Sequence, residues 1–193
     1  MTSPATEFFI RAYTHLMEMP EGKAEIQHVQ RILGRPLEEL TSKEFLEQYV
    51  FVVLACYWKE QYAYRLFQQF MENRDLELIH NAHKRAAIAQ ALLCYQEWLT
   101  KIKSFARMGP GYAVEYIDEL PMMGPTTKYH LARNIGIDCV KPDRHLLRLA
   151  KRFGYANPLK MCQAIQQEIG NSEKLGTIDV VLWRWCNLYG SDT

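Results

Sequence analysis

The chain has 193 residues, 48% of them hydrophobic, which is the make-up of an ordinary folded protein with room for one good-sized domain or two small lobes. A formal net charge of +1 excludes a generally sticky polycation. The longest purely apolar stretch, Val50 to Cys56, is too short to cross a bilayer, and the opening "MTSPATEFFIRAY" lacks a basic flank before an apolar run, so a cytoplasmic protein without membrane contact is expected.

Nearly every segment carries helical periodicity and none shows sustained period-two alternation, so the fold class expected is all-α. Punctuation falls at residues 19–23, 34–44, 107–112, 120–125, 136–143, 154–158 and 170–176, and between these points lie helices of about 10 to 20 residues. Thr41 with Glu44 forms a capping-box pattern ahead of an apolar run. The run from Lys43 to Glu72 is too long for one ordinary helix, and the aromatic, polar stretch "CYWKEQY" at 56–62 is where it is expected to bend or break. That break places Tyr57, Trp58 and Lys59 at the junction of two helices. The five cysteines, at 56, 94, 139, 162 and 186, include no CxxC pair, so they are expected to be reduced thiols rather than a disulfide framework or a metal ligand set.

Residues 113–120 read as a helix that runs into Pro121, and a second helix is expected over 126–135, starting with two threonines able to cap it. Such a compact turn is expected to leave backbone N–H groups of Met123 to Thr127 unsatisfied, a ready site for a phosphate oxygen, with Gly124 allowing close approach or a positive φ. A plain helix-to-helix connection is the alternative. Nineteen residues beyond Gly124 comes Asp143, which follows Pro142 and opens "RHLLRLAKRFG". Its apolar residues Leu146, Leu149, Ala150 and Phe153 recur at helical spacing among Arg144, Arg148, Lys151 and Arg152. Asp is a preferred N-cap, so capping accounts for Asp143 by itself. Asn157 and Pro158 form a further cap followed by an N1 proline. Residues 101–160 hold eleven Lys and Arg against five acids, a balance of +6, so the remainder of this chain of net +1 sums to −5. The basic sector is either a patch for a polyanion or a solvated helix face.

The order Leu120, Pro121, Gly124, a helix, then Pro142, Asp143, Arg144 and His145 resembles the helix-hairpin-helix DNA glycosylases, the superfamily that includes endonuclease III. The likeness covers roughly residues 113–154. It implies a two-lobed all-α fold, with a barrel lobe over 43–136, a second lobe from 1–42 and 137–193, and an active site in the cleft between them. The implied activity is base excision: hydrolysis of the N-glycosidic bond of a damaged or modified base flipped out of double-stranded DNA. The protein is expected to act as a monomer.

Asp143 would be the catalytic carboxylate, opposing the positive charge that grows on the sugar. The DNA-binding set implied is Met122, Met123, Gly124, Thr126, Thr127, Lys128 and Arg144, with Arg107, Arg133 and Lys141 as further phosphate contacts. Met122 stands where many relatives carry glycine. Tyr57 and Trp58 would stack on the base, with Glu60 or Gln61 at its edge, although aromatics at helical spacing equally fill cores. Trp183 and Trp185 are expected to anchor the last helix to the other lobe.

Relatives that also cleave the strand carry a lysine two residues after the hairpin glycine. Here Thr126 holds that position, which implies a water nucleophile. Lys128 turns to another face, and Lys59 is a substitute amine in a rival reading as a bifunctional lyase. A second rival is a DNA-binding adaptor without catalysis. The family's four-cysteine cluster is missing, so no cofactor and no iron–sulfur cluster is implied, which leaves room only for a monovalent cation at the hairpin.

Overall fold

The computed structural model describes residues 2–58 and 60–191, the side chain of Glu60 excepted. Lys59 therefore lies outside the described residues, as does the side chain expected at the base edge, that of Glu60. The helices are α1 (Pro4–Glu18), α2 (Pro20–Gly34), α3 (Ser42–Ala55), α4 (Glu60–Asn73), α5 (Ala82–Met108), α6 (Pro110–Asp118), α7 (Thr127–Asn134), α8 (Arg144–Arg152), α9 (Pro158–Glu168) and α10 (Leu175–Tyr189). Two short 3-10 turns, Leu37–Glu39 and Leu76–Leu78, complete the described residues, which contain no strand. The chain is all-α.

It divides into two compact units, one continuous over residues 36–137, the other drawn from the segments up to Arg35 and from Asp138 onward. The first division thus falls ahead of the expected 42/43 boundary. The reason is local: Lys103 Nζ of α5 donates to the carbonyls of Glu38 and Leu40, both at 2.8 Å, and Arg107 pairs with Glu38 at 3.0 Å. These bonds tie the segment before α3 to α5.

In the discontinuous unit, α1 turns Phe8, Phe9, Ala12 and Leu16 to one side, and they are buried with Leu146 and Leu149 of α8, Met161 and Ile165 of α9, and Ile178, Val181 and Leu182 of α10. The three- and four-residue spacing on each helix is what lets single stripes meet in one core. Each such side chain, fully buried, stabilises by about 1.5–3 kcal/mol relative to exposure. Trp185 packs within this unit, 5.9 Å from Phe8 and 4.8 Å from Tyr189. Trp183 lines the same core, so the anchoring seen for both tryptophans is to their own unit. Asp138 Oδ1 accepts the Gly176 N–H at 2.8 Å, serving the first turn of α10, whose own N-cap residue Lys174 makes no side-chain cap.

The continuous unit is built around α3. Phe45, Leu46, Tyr49, Val50, Val52, Val53 and Leu54 are all buried on it, and α4, α5 and α7 pack against it. A helix apolar nearly all round belongs in an interior. Its start is the expected capping box, with Glu44 N–H donating to Thr41 Oγ1 and Thr41 N–H to the Glu44 carboxylate. The run through residue 72 does break, after Ala55. By contrast α5 runs 27 residues, longer than expected, since neither glycine nor proline interrupts it before Gly109. All five cysteines are free thiols. No helix among the described residues is long and apolar enough to cross a membrane.

The punctuation expected over 19–23 breaks the chain only at Met19: Pro20 takes the first helical position of α2, and Gly22 is helical. A Cβ on Gly22 would meet the Leu16 carbonyl oxygen at 2.6 Å, so the hydrogen at that position is what lets α2 start tight against the end of α1. Gly22→Ala is expected to destabilise by about 1–3 kcal/mol through overpacking, against the usual helix gain of alanine over glycine of about 1 kcal/mol. Urea denaturation measures the difference, and an unchanged or raised midpoint would show that the α1–α2 turn yields freely.

Candidate functional site

The hairpin of α6 and α7 turns at Leu120 to Met123, where the Met123 N–H donates to the Leu120 carbonyl at 3.1 Å. Pro121 at the second position presets φ. Met122, at the third, has φ 62, the left-handed backbone that such turns usually give to glycine. The positive φ thus falls on Met122 and not, as expected, on Gly124. Nothing lies within 4 Å of the place a Cβ on Gly124 would take. Neither backbone conformation nor packing therefore demands glycine at 124, and its main chain is left bare on that side.

From inside the unit, the buried Tyr49 donates its hydroxyl to the Pro121 carbonyl at 2.7 Å, with its ring 5.3 Å from that of Trp98. Burial raises the phenol well above its ordinary range. This residue pins the turn to α3, and sequence reasoning missed it. The signal was present: a tyrosine in an otherwise apolar buried helix needs a partner for its hydroxyl.

The amides expected to be free are only partly so. That of Met123 is taken by the turn, and Pro125 has none. Those of Gly124, Thr126 and Thr127 have no partner among the described residues, as at the start of any uncapped helix. Neither threonine caps α7: Thr126 sits at φ −112, ψ −36, in helical rather than extended backbone, and makes no side-chain cap. Thr126 is exposed, while Thr127 Oγ1 lies 3.8 Å from Cys56 Sγ.

Lys128 is not a free phosphate contact either, because its Nζ pairs with Asp118 at 3.0 Å. The side chain of Met123 is buried, that of Met122 half-buried. Among the described residues no three metal-type side chains gather, and the Leu120, Pro121 and Gly124 carbonyls each already accept a protein hydrogen bond. A cation at the hairpin would have to share them.

At the elbow after α3 the two adjacent aromatics part. Tyr57 has φ 62 and is 96% exposed. Trp58 is half-buried, its ring 5.2 Å from Tyr62, and Lys84 Nζ lies 3.4 Å from its centroid. One face of the indole is thus already covered, which leaves the other alone for a base; Tyr57 remains open and Gln61 exposed. Lys84 itself is 2% exposed and donates to the carbonyls of Leu54 and Cys56, both at 2.7 Å. These are among the last carbonyls of α3, which the helix cannot satisfy itself. Burial pushes the ammonium down to about 8, against an opposing pull from the nearby Cys56. Lys84 sits in a buried stripe with Ala87, Ile88 and Ala91, and a lysine in the apolar register of a helix was the overlooked signal.

In the other unit, Asp143 is the N-cap of α8, with φ −86 and ψ 173. Its Oδ1 accepts the N–H groups of His145 at 2.9 Å and Leu146 at 3.1 Å. Oδ2 has no partner among the described residues, and the side chain is half-exposed. Arg144, Arg148 and Lys151 are exposed on α8, whereas Arg152 donates to the Ser191 carbonyl at 2.7 Å. His145 Nδ1 is buried without a hydrogen-bond partner among the described residues. Arg107 is engaged by Glu38, and Arg133 and Lys141 also have partners.

Two measurements follow. Tyr49→Phe leaves the Pro121 carbonyl unpaired and is expected to cost about 1–3 kcal/mol; loss below a few tenths in urea titrations would mean water replaces the phenol. For Lys84, folded and unfolded chains both carry the ammonium below pH 8, and the cost of burying it is then fully felt. Between about 8 and 10.5 only the unfolded chain holds the proton, so stability rises with pH across that window. Wild-type stability measured relative to Lys84→Met should climb accordingly, and a flat difference would contradict the desolvation. The chain matches no family model, no curated protein and no solved structure.

Proposed function

We propose that the protein is a monofunctional DNA glycosylase of the two-lobed helix-hairpin-helix type, hydrolysing the N-glycosidic bond of a damaged or modified base in double-stranded DNA. The observation that carries this reading is the division of labour within Asp143. Both capping bonds end on Oδ1, so Oδ2 stays available on a half-exposed side chain.

As the C1′–N bond breaks, its electron pair leaves with the base and the sugar becomes cationic. An ionised carboxylate opposes that charge and orients a water. The water oxygen bonds C1′, and its proton passes to the departing base or to solvent. No lysine stands at residue 126, so an imine through the hairpin is not part of the reaction. The bare backbone at Gly124, with the open amides of Gly124, Thr126 and Thr127, supports phosphate contact without base reading. Tyr57 offers an uncovered ring to a base, and Arg144, Arg148 and Lys151 supply long-range attraction.

Asparagine caps a helix about as well as aspartate, so Asp143→Asn is expected to keep fold and DNA affinity. Its turnover should fall by at least about 10²-fold to 10³-fold, the scale for loss of one preorganised electrostatic group. The assay is alkali-revealed cleavage of duplex oligonucleotides carrying a panel of modified bases. Wild-type activity on none of them, or full activity in the variant, would overturn the reading.

A further inference from the structure

Three observations at the end of α3 belong together and are not explained by stability alone. Tyr57 is a large aromatic ring 96% exposed, on a residue with φ 62. Left-handed backbone at a residue other than glycine costs roughly 1–2 kcal/mol, and nothing in the packing of the exposed ring offsets it. Directly beneath, the Lys84 ammonium gathers the Leu54 and Cys56 carbonyls at 2.7 Å each, fixing the peptide that leads into Tyr57. The Trp58 ring closes over that ammonium at 3.4 Å, fixing the residue that follows. The chain on both sides of Tyr57 is therefore held by a single buried cation. Burying a cation to satisfy two carbonyls is a costly device where a glycine C-cap or water serves most helices. What it gains is a rigid chain reversal with one side chain outside it.

We propose that Lys84 is a positioning residue for base stacking: through the Leu54 and Cys56 carbonyls and the Trp58 face it locks the elbow after α3, so that Tyr57 meets an unpaired or everted DNA base without paying to order itself. The assignment rests on the glycosylase reading above for the nature of the partner. Lys84 touches no DNA in this scheme and acts entirely through Tyr57. A preordered ring keeps the full stacking gain, whereas a mobile one loses part of it to side-chain and loop ordering. Methionine, uncharged and one atom shorter, fills the space of the lysine stem but leaves both carbonyls ungathered.

The test is a double-mutant cycle on affinity for a duplex oligonucleotide with a tetrahydrofuran abasic analogue, which leaves the facing base unpaired. Tyr57→Ala is expected to weaken binding about tenfold, the scale of one base–aromatic stack, without lowering the thermal midpoint. Lys84→Met should weaken it about fivefold or more in the wild-type background and not at all in the Tyr57→Ala background. A lysine that merely stabilises the unit would instead act equally in both backgrounds. Multiplied effects, or wild-type affinity in Lys84→Met, overturn the assignment. Should Lys84→Met fail to fold, Trp58→Leu, which strips the ring from the ammonium and leaves its carbonyl bonds, carries the same cycle with the same two outcomes. Wild-type protein that binds neither this duplex nor its undamaged counterpart sinks the glycosylase reading and this assignment with it. Binding with multiplied effects sinks the assignment alone.

Discussion

The two carbonyl bonds made by the Lys84 ammonium at the end of α3 set the terms for the whole 36–137 unit. A helix leaves its last carbonyls without partners and carries partial negative charge there, so a cation is the natural complement. Deep burial of that cation is unfavourable by itself, and two short charge-assisted bonds together with the indole face offset it. Because the end of α3 is fixed in this way, its buried middle is fixed too. Tyr49 lies there, and its hydroxyl holds the turn between α6 and α7 by the Pro121 carbonyl. One central helix therefore positions both the hairpin and the exposed ring of Tyr57.

Asp143 shows how an N-cap can leave half of its carboxylate unused. A carboxylate has two oxygens, and an N-cap needs one; both cap bonds converge on Oδ1. The positive charge of the surrounding sequence is more narrowly placed than its count implies. Of the bases in residues 101–160, Lys101 pairs with Glu97, Lys103 binds two carbonyls, Arg107 pairs with Glu38 and Lys128 with Asp118. What remains exposed is Arg144, beside the cap, with Arg148 and Lys151 farther along α8 and Lys160 on α9.

Much of this was legible in the residues. The capping box at Thr41, the caps at Asp143 and Asn157, the break after α3 and the buried face of α8 all follow from local chemistry, where the partners lie within four residues of each other. What was not legible depends on contacts between distant positions. Gly22 looks like a loop residue until Leu16 is seen against it, and Gly124 looks strained until Met122 proves to carry the positive φ. Lys128 and Arg107 look free until Asp118 and Glu38 arrive. Lys84 and Tyr49 are the instructive pair: each is a polar group in an apolar register, and the great majority of such groups have a partner whose identity only the fold supplies.

The discontinuous make-up of the unit drawn from two segments has a consequence during synthesis. Helices α1 and α2 leave the ribosome ahead of the inserted unit, and α8 to α10, which share a core with Phe8, Phe9 and Leu16, emerge only after the whole of residues 36–137 has been translated. At about 5–20 residues per second that interval is on the order of ten seconds. The inserted unit has time to fold as an independent body, while the nascent amino-terminal pair waits with an oily flank uncovered. A core assembled from segments this far apart in the sequence closes only late in its own synthesis.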